Sequence, residues 1–152
     1  LDGPRRPLAD AVGTLLMRED ASGVRTAEFY AGLAPAAERI KHELLRFLLR
    51  AKTEAKRVVG YGAAAKGNTL LNYAGVRPDL LAWVADANPH KQSKYLPGSR
   101  IPVVAPARIA AERPDYVLVL PWNLLDEVTQ QQARVRDWGG RFVVAVPELR
   151  VL

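Results

Sequence analysis

A short apolar run that breaks into glycines and resumes as a helix carrying a lysine constrains this chain more than any other stretch of it. The segment RVVGYGAAAKGNTLLN begins at Arg57. Residues 58–61 have the β-branched and aromatic composition of a buried strand, and Gly62, Ala63 and Ala64 are small enough for a tight turn. A helix that opens near Lys66 leaves its first N–H groups unpaired and carries a partial positive charge there. Such a junction holds an anion, because the small turn lets it approach the backbone. Lys66 adds a full positive charge.

The pattern that follows extends this unit into a fold. Strand-length apolar runs at 80–85, 101–104 (weak), 116–120 and 142–146 alternate with helical stretches at 66–73, 105–112 and 123–137. Continuous apolar strands separated by helices predict a parallel sheet covered on both faces, hence a Rossmann-like, doubly wound α/β domain of about five strands over residues 57–152. Right-handed crossovers bring the carboxyl ends of those strands to one edge, which is where a ligand is expected.

Upstream, residues 1–7 read as a linker with Pro4 and Pro7 flanking two arginines, and residues 8–56 as a helical appendage packed on the domain. Leu8, Val12, Leu15 and Leu16 have helical spacing and predict a short helix ending near Asp20. A longer helix starts after Thr26, a natural cap, and runs to about Glu54 with Leu33, Ala37, Ile40, Leu44, Phe47 and Leu48 on one stripe. Pro35 must kink or restart it.

Composition excludes several classes. With 152 residues and no cysteine, the chain builds one core and has no disulfide, thiolate zinc site or cysteine nucleophile. No apolar run reaches the roughly 18 residues of a membrane span, and no signal peptide is visible, so a soluble cytoplasmic protein without membrane partner is expected. The first residue is leucine, which favours a piece of a longer protein. The +6 charge is concentrated where residues 87–111 hold no acid but carry Lys91, Lys94, Arg100 and Arg108. That run is either a solvated loop or a positive rim for an acidic small molecule. Nucleic acid is not expected, since no helix-turn-helix, RRM or zinc-finger pattern is present.

The candidate site residues fall at the strand ends. GYGAAAKG has Ala65 where a dinucleotide fingerprint carries its third glycine, and Asp86 sits where that fingerprint expects an acid for a ribose. Asn88, His90 and Lys91 form a polar turn after the second strand, and Tyr95 with Lys94 reaches a ligand if that loop folds over the edge. Trp122 is a ligand wall or a seal on the sheet edge; Asn123 is a ligand contact or a helix cap. Glu148 accepts a hydrogen bond from a sugar or base, or pairs with an arginine. His42 and His90 are too far apart for metal-ligand spacing, and no catalytic triad, Walker lysine motif or acidic glycine-rich opening of an S-adenosylmethionine domain is present.

Taken together, GYGAAAKGNTLLN, DANPHKQ, KYLPGSRIPV, PDYVLVLPWN and GGRFVVAVPE resemble the C-terminal domain of the S-adenosylmethionine-dependent sugar C-methyltransferase family, which methylates deoxysugars attached to a nucleoside diphosphate. The resemblance runs from about Leu8 to the end. It implies a domain that helps hold a nucleotide-sugar, typically a dTDP-sugar, and faces a central S-adenosylmethionine domain. In that family the methyl donor, a zinc site and the catalytic base belong to segments that precede this one, so neither cofactor nor catalytic residue is expected here. The resemblance makes Gly62, Ala63, Ala64, Lys66, Gly67, Asn68 and Thr69 the candidate diphosphate turn. It adds Asn88, His90 and Lys91 from the second motif, and Trp122 and Asn123 from the fourth. Two other readings stay open: an NAD(P)-binding redox module resting on the glycine turn and Asp86, and a structural lid with no ligand of its own.

Overall fold

The structure is a computed structural model that describes residues 10–152. The expected linker at 1–7 and the start of the first helix at Leu8 lie outside the described residues. The chain divides into two compact units, one ending at Ala37 and one from Glu38 to Leu152.

In the first unit, α1 spans Asp10–Ala21, with Asp10 in its first turn and Arg18 in its last, each on the side the helix dipole favours. Thr26 caps α2 (Ala27–Tyr30), its hydroxyl accepting the Phe29 N–H at 3.4 Å. The single long helix expected after Thr26 is interrupted: α2 stops after four residues and α3 (Leu33–Thr53) begins afresh. Pro35 therefore sits in the first turn of α3, where its missing N–H would have had no helical partner.

The second unit is built on a six-stranded sheet of order β3-β2-β1-β4-β5-β6. Its strands are β1 (Val58–Tyr61), β2 (Val84–Ala85), β3 (Val103–Val104), β4 (Tyr116–Val119), β5 (Arg141–Val144) and β6 (Arg150–Val151). The first five are parallel and β6 runs antiparallel to β5. The side chains divide between the faces with the strand period of two. Val58, Val84, Leu118 and Val143 join Leu44, Phe47 and Leu48 of α3 and Leu71 of α4 (Ala65–Ala74) in one core cluster. Val59, Tyr61, Val117, Val119 and Phe142 face the other way, onto Ile109 of α5 (Ala107–Glu112), Val128 of α6 (Leu125–Gln131) and Val135. Helices on both faces make the doubly wound, Rossmann-like arrangement that the apolar runs predict.

The departures have local causes. The second strand is expected over 80–85 but pairs only at its last two residues, because Pro78 opens a turn in which the Leu80 and Leu81 N–H groups both donate to the Arg77 carbonyl. The helix expected at 123–137 consists of 3-10 turns, Trp122–Leu124 and Ala133–Trp138, on either side of α6. Short 3-10 pieces are common at helix ends. The extra strand β6 is two residues long and has no readable period.

At the opposite, amino edge of the sheet, Asp115 ties β1 to β4. It accepts the Arg57 N–H at 2.8 Å and Lys56 Nζ at 3.0 Å. Burial pushes its carboxyl up, but the Arg57 amide and the Lys56 ammonium outweigh that and hold it below the usual range; the same contact raises Lys56.

Candidate functional site

The strand order reverses direction between β1 and β4, which lie side by side at the centre of the sheet. A crevice opens where neighbouring parallel strands send their helices to opposite faces, and ligands of such folds bind there. The residues at that point are the turn after β1 and the Pro121-Trp122-Asn123 segment after β4.

Two glycines press these segments together. Gly62 has φ +86°, and a Cβ on it would lie 2.5 Å from Pro121 Cδ. A Cβ on Gly67 would lie 2.6 Å from Leu120 Cβ, so the first turn of α4 packs directly on the end of β4. This approach brings Lys66 across the switch point. Its ammonium lies 4.7 Å from the centre of the Trp122 ring and donates to Asn123 Oδ1. The structure thus joins Lys66, Trp122 and Asn123, three residues that two separate motifs supply. Asn123 does not cap a helix as one reading expects, because it lies inside the 3-10 turn and no side chain caps α6. Its carboxamide oxygen serves Lys66 instead.

The backbone donors of the turn are divided. The Gly62 N–H donates to the Ala85 carbonyl at 2.7 Å, the Ala63 N–H to Asp86 Oδ2 at 2.7 Å, and the Ala64 N–H to the Gly62 carbonyl at 2.7 Å. The Asn68 N–H reaches the Ala64 carbonyl. Between them, the N–H groups of Ala65, Lys66 and Gly67 have no partner among the described residues, and the first turn of α4 holds no acid. The unpartnered donors therefore lie one step beyond Gly62, Ala63 and Ala64, on the turn that carries Lys66.

Asp86, at the end of β2, is the residue this arrangement spends most contacts on, and sequence reading admitted it only as a ribose contact. Its side chain is 10% exposed. Oδ1 accepts the Asn88 N–H at 2.8 Å, and Lys91 Nζ reaches Oδ2 at 3.2 Å. Lys91 also donates to the Ala63 carbonyl at 3.0 Å. A ribose diol needs two acceptor sites, and these contacts fill Oδ2 and leave a single site on Oδ1. The signal that could have found this role is Lys91 itself, placed five residues after Asp86 where a turn brings cation to carboxylate.

The other candidates fall into two groups. Asn88 accepts the His90 N–H at 2.9 Å, which shapes the turn and leaves His90 exposed. Asn68 accepts from Asn72, whose amide also reaches the Pro97 carbonyl at 2.9 Å, while Thr69 donates back to the Ala65 carbonyl. These contacts brace the helix and the following loop. That loop is an ordered hairpin: the Ser93 N–H donates to Val103 and the Val103 N–H to Lys94, and the exposed Tyr95 bridges to Pro102. Glu148 stands apart from the turn, in an open groove with Glu43, Arg46, Phe47 and Arg50. Tyr61, between the two glycines, faces away into the second core cluster, and burial raises its phenol above the ordinary value.

Comparison with known proteins adds an independent line. A family model described as the C-methyltransferase C-terminal domain matches residues 2–147. The chain is 35% identical over 142 residues to the C-methyltransferase NovU of Streptomyces niveus, a match that covers 93% of this chain and 34% of the relative. The chain thus spans about a third of the length of the curated relative it matches.

Proposed function

From a chain that belongs to the C-methyltransferase C-terminal domain family, we propose a substrate-holding role: it grips the nucleoside diphosphate of a deoxysugar, best read as a dTDP-sugar, for an S-adenosylmethionine-dependent C-methyltransferase. The observation that carries this reading is the start of α4, where three N–H groups have no partner among the described residues and Lys66, on the same turn, places its ammonium over the Trp122 ring. Backbone donors at a helix start with a lysine nearby suit a phosphate, and an indole wall suits a flat base or sugar.

The division of labour has a physical rationale. C-methylation requires a carbanion beside a ketone and a methyl group held about 3 Å away. Contacts to a remote diphosphate lower the barrier when they enforce that alignment. The methyl donor, the zinc and the base are assigned to the rest of a longer polypeptide. The residues present do not fit zinc: the chain has no cysteine, and no group of three or more His, Asp or Glu side chains stands together among the described residues.

The test is calorimetric titration of the 152-residue chain with dTDP, repeated with NAD and S-adenosylmethionine at one salt concentration. Binding of dTDP alone is expected. Lys66→Ala should then weaken it by about 1.5–3 kcal/mol, roughly 10- to 150-fold, the scale of a charged hydrogen bond. A dTDP affinity indifferent to Lys66→Ala removes that residue from the site, and binding of NAD alone overturns the reading.

A further inference from the structure

Resting on the reading that the start of α4 takes a phosphate, we propose that Asp86 is a resident anion of the turn. It is a positioning residue that fills the inner donors and confines the ligand's phosphates to the Lys66 and Trp122 side, excluding a dinucleotide laid across the turn.

The contacts around Asp86 are those of a bound anion. Its carboxylate receives the Ala63 N–H at 2.7 Å, the Asn88 N–H at 2.8 Å and the Lys91 ammonium at 3.2 Å. Lys91 also holds the Ala63 carbonyl, so both backbone polar groups of that residue are fixed. Asp86 is itself anchored through its backbone. Its N–H donates to the Val104 carbonyl at 3.0 Å, and its carbonyl accepts from Gln92 Nε2 at 2.9 Å. The charges of Asp86 and Lys91 cancel locally, which leaves Lys66 as the cation on the helix turn that carries the unpartnered N–H groups.

Two consequences for the ligand follow. A second phosphate laid over Ala63 would meet a carboxylate where it needs a donor, because the Ala63 N–H is already given to Asp86 Oδ2. A ribose at the end of β2 would find Oδ2 filled by the Ala63 N–H and Lys91 and Oδ1 already accepting the Asn88 N–H, which leaves a single acceptor site for the two hydroxyls of its diol. A nucleoside diphosphate entering from the Trp122 side meets neither obstacle.

The experiment follows backbone amide resonances of the nitrogen-15-labelled 152-residue chain. In the wild type, dTDP should shift the Ala65, Lys66 and Gly67 amides and leave Ala63 and Asn88 in place, while NAD shifts none of the five. In Asp86→Ala, sodium formate should enter the space left by the carboxylate and shift the Ala63 and Asn88 amides, an effect absent from the wild type. A residue that served only to stabilise the fold would create no such formate site. The proposal is overturned if dTDP moves Ala63 and Asn88 of the wild type as strongly as Lys66, or if formate leaves those amides unmoved in a folded Asp86→Ala. Should that variant not fold, the wild-type titration decides. Formate entering Asp86→Ala while the wild type ignores dTDP would uphold the resident anion and sink the phosphate reading instead.

Discussion

Replacing Gly62 by alanine tests the contact that brings the two halves of the site together, and Gly75 provides its control. Both residues have positive φ, +86° and +72°, so an alanine at either one is strained by about 1–2 kcal/mol. Reduced freedom of the unfolded chain returns roughly 0.4–1 kcal/mol of that. Around Gly75, which ends α4, nothing lies within 4 Å of the added Cβ, so Gly75→Ala should cost only about 1 kcal/mol. At Gly62 the Cβ would sit 2.5 and 2.7 Å from Pro121 Cδ and Cγ. Pro121 is buried and its ring is stiff, and its neighbour Leu120 is 1% exposed, so the overlap relaxes only by moving the end of β4. Overpacking of that kind costs about 1–3 kcal/mol, which brings Gly62→Ala to roughly 2–4 kcal/mol. Urea unfolding followed by circular dichroism measures both, with an unchanged m value as the condition for comparing them. In thermal scans about 4 °C per kcal/mol is expected for a domain of this size. Equal losses in the two variants, within about 0.5 kcal/mol, would refute the reasoning, because they would mean Pro121 withdraws freely and does not fix the turn.

The Asp115 contacts predict a signed pH dependence. Its folded carboxyl titrates below the ordinary 3.8, so this stabilisation is present above that value and is lost as pH falls through the folded-state value. Lys56 titrates above 10.5, so its share is full below that pH and fades as pH rises past it. Asp115→Asn should flatten urea midpoints in both windows and cost about 1 kcal/mol at neutral pH through the weakened bond to the Arg57 N–H; an unchanged acid limb would contradict the assignment. Asn72→Ala removes the amide that reaches Pro97, and should lower stability by about 1 kcal/mol while speeding hydrogen exchange of the Arg100 amide, which donates to Leu96. Unchanged exchange there would show that the hairpin holds itself.

The parts of the fold that rest on repeated local pattern were legible in the residues. The runs 58–61 and 116–120 are apolar almost without a break, as strands covered on both faces are, and the helical stripe through Leu44, Phe47 and Leu48 keeps its period over several turns; both signals survive uncertainty at single positions. The second and third runs extend past the paired strands, since Leu80, Leu81 and Ile101 are as apolar as strand residues, but Leu81 and Ile101 are buried, and Leu80 half-buried, in turns and loop. Burial alone does not distinguish those cases. Part of the site was legible too: Lys66, Trp122 and Asn123 were candidates from separate motifs, and the structure joins them. What escaped was the destination of individual polar groups. Whether Asn123 caps a helix or serves Lys66, and whether Asp86 faces a sugar or the Ala63 N–H, depends on angles between segments dozens of residues apart. Lys91, five residues after Asp86, is the local signal for the second; no local pattern encodes the first.

The antiparallel β6 has a consequence for the molecule's behaviour in concentrated solution. Without it, β5 would offer a row of unpaired amides and carbonyls to any passing chain, the usual template for edge-to-edge association. Two paired residues suffice to cover β5, and they are too few to recruit a neighbour in turn. Arg150 also places a charge on that border, and β3 ends the sheet's other side with an equally short strand. Both borders are thus blunt, and a sheet with an apolar interior remains a poor nucleus for fibres.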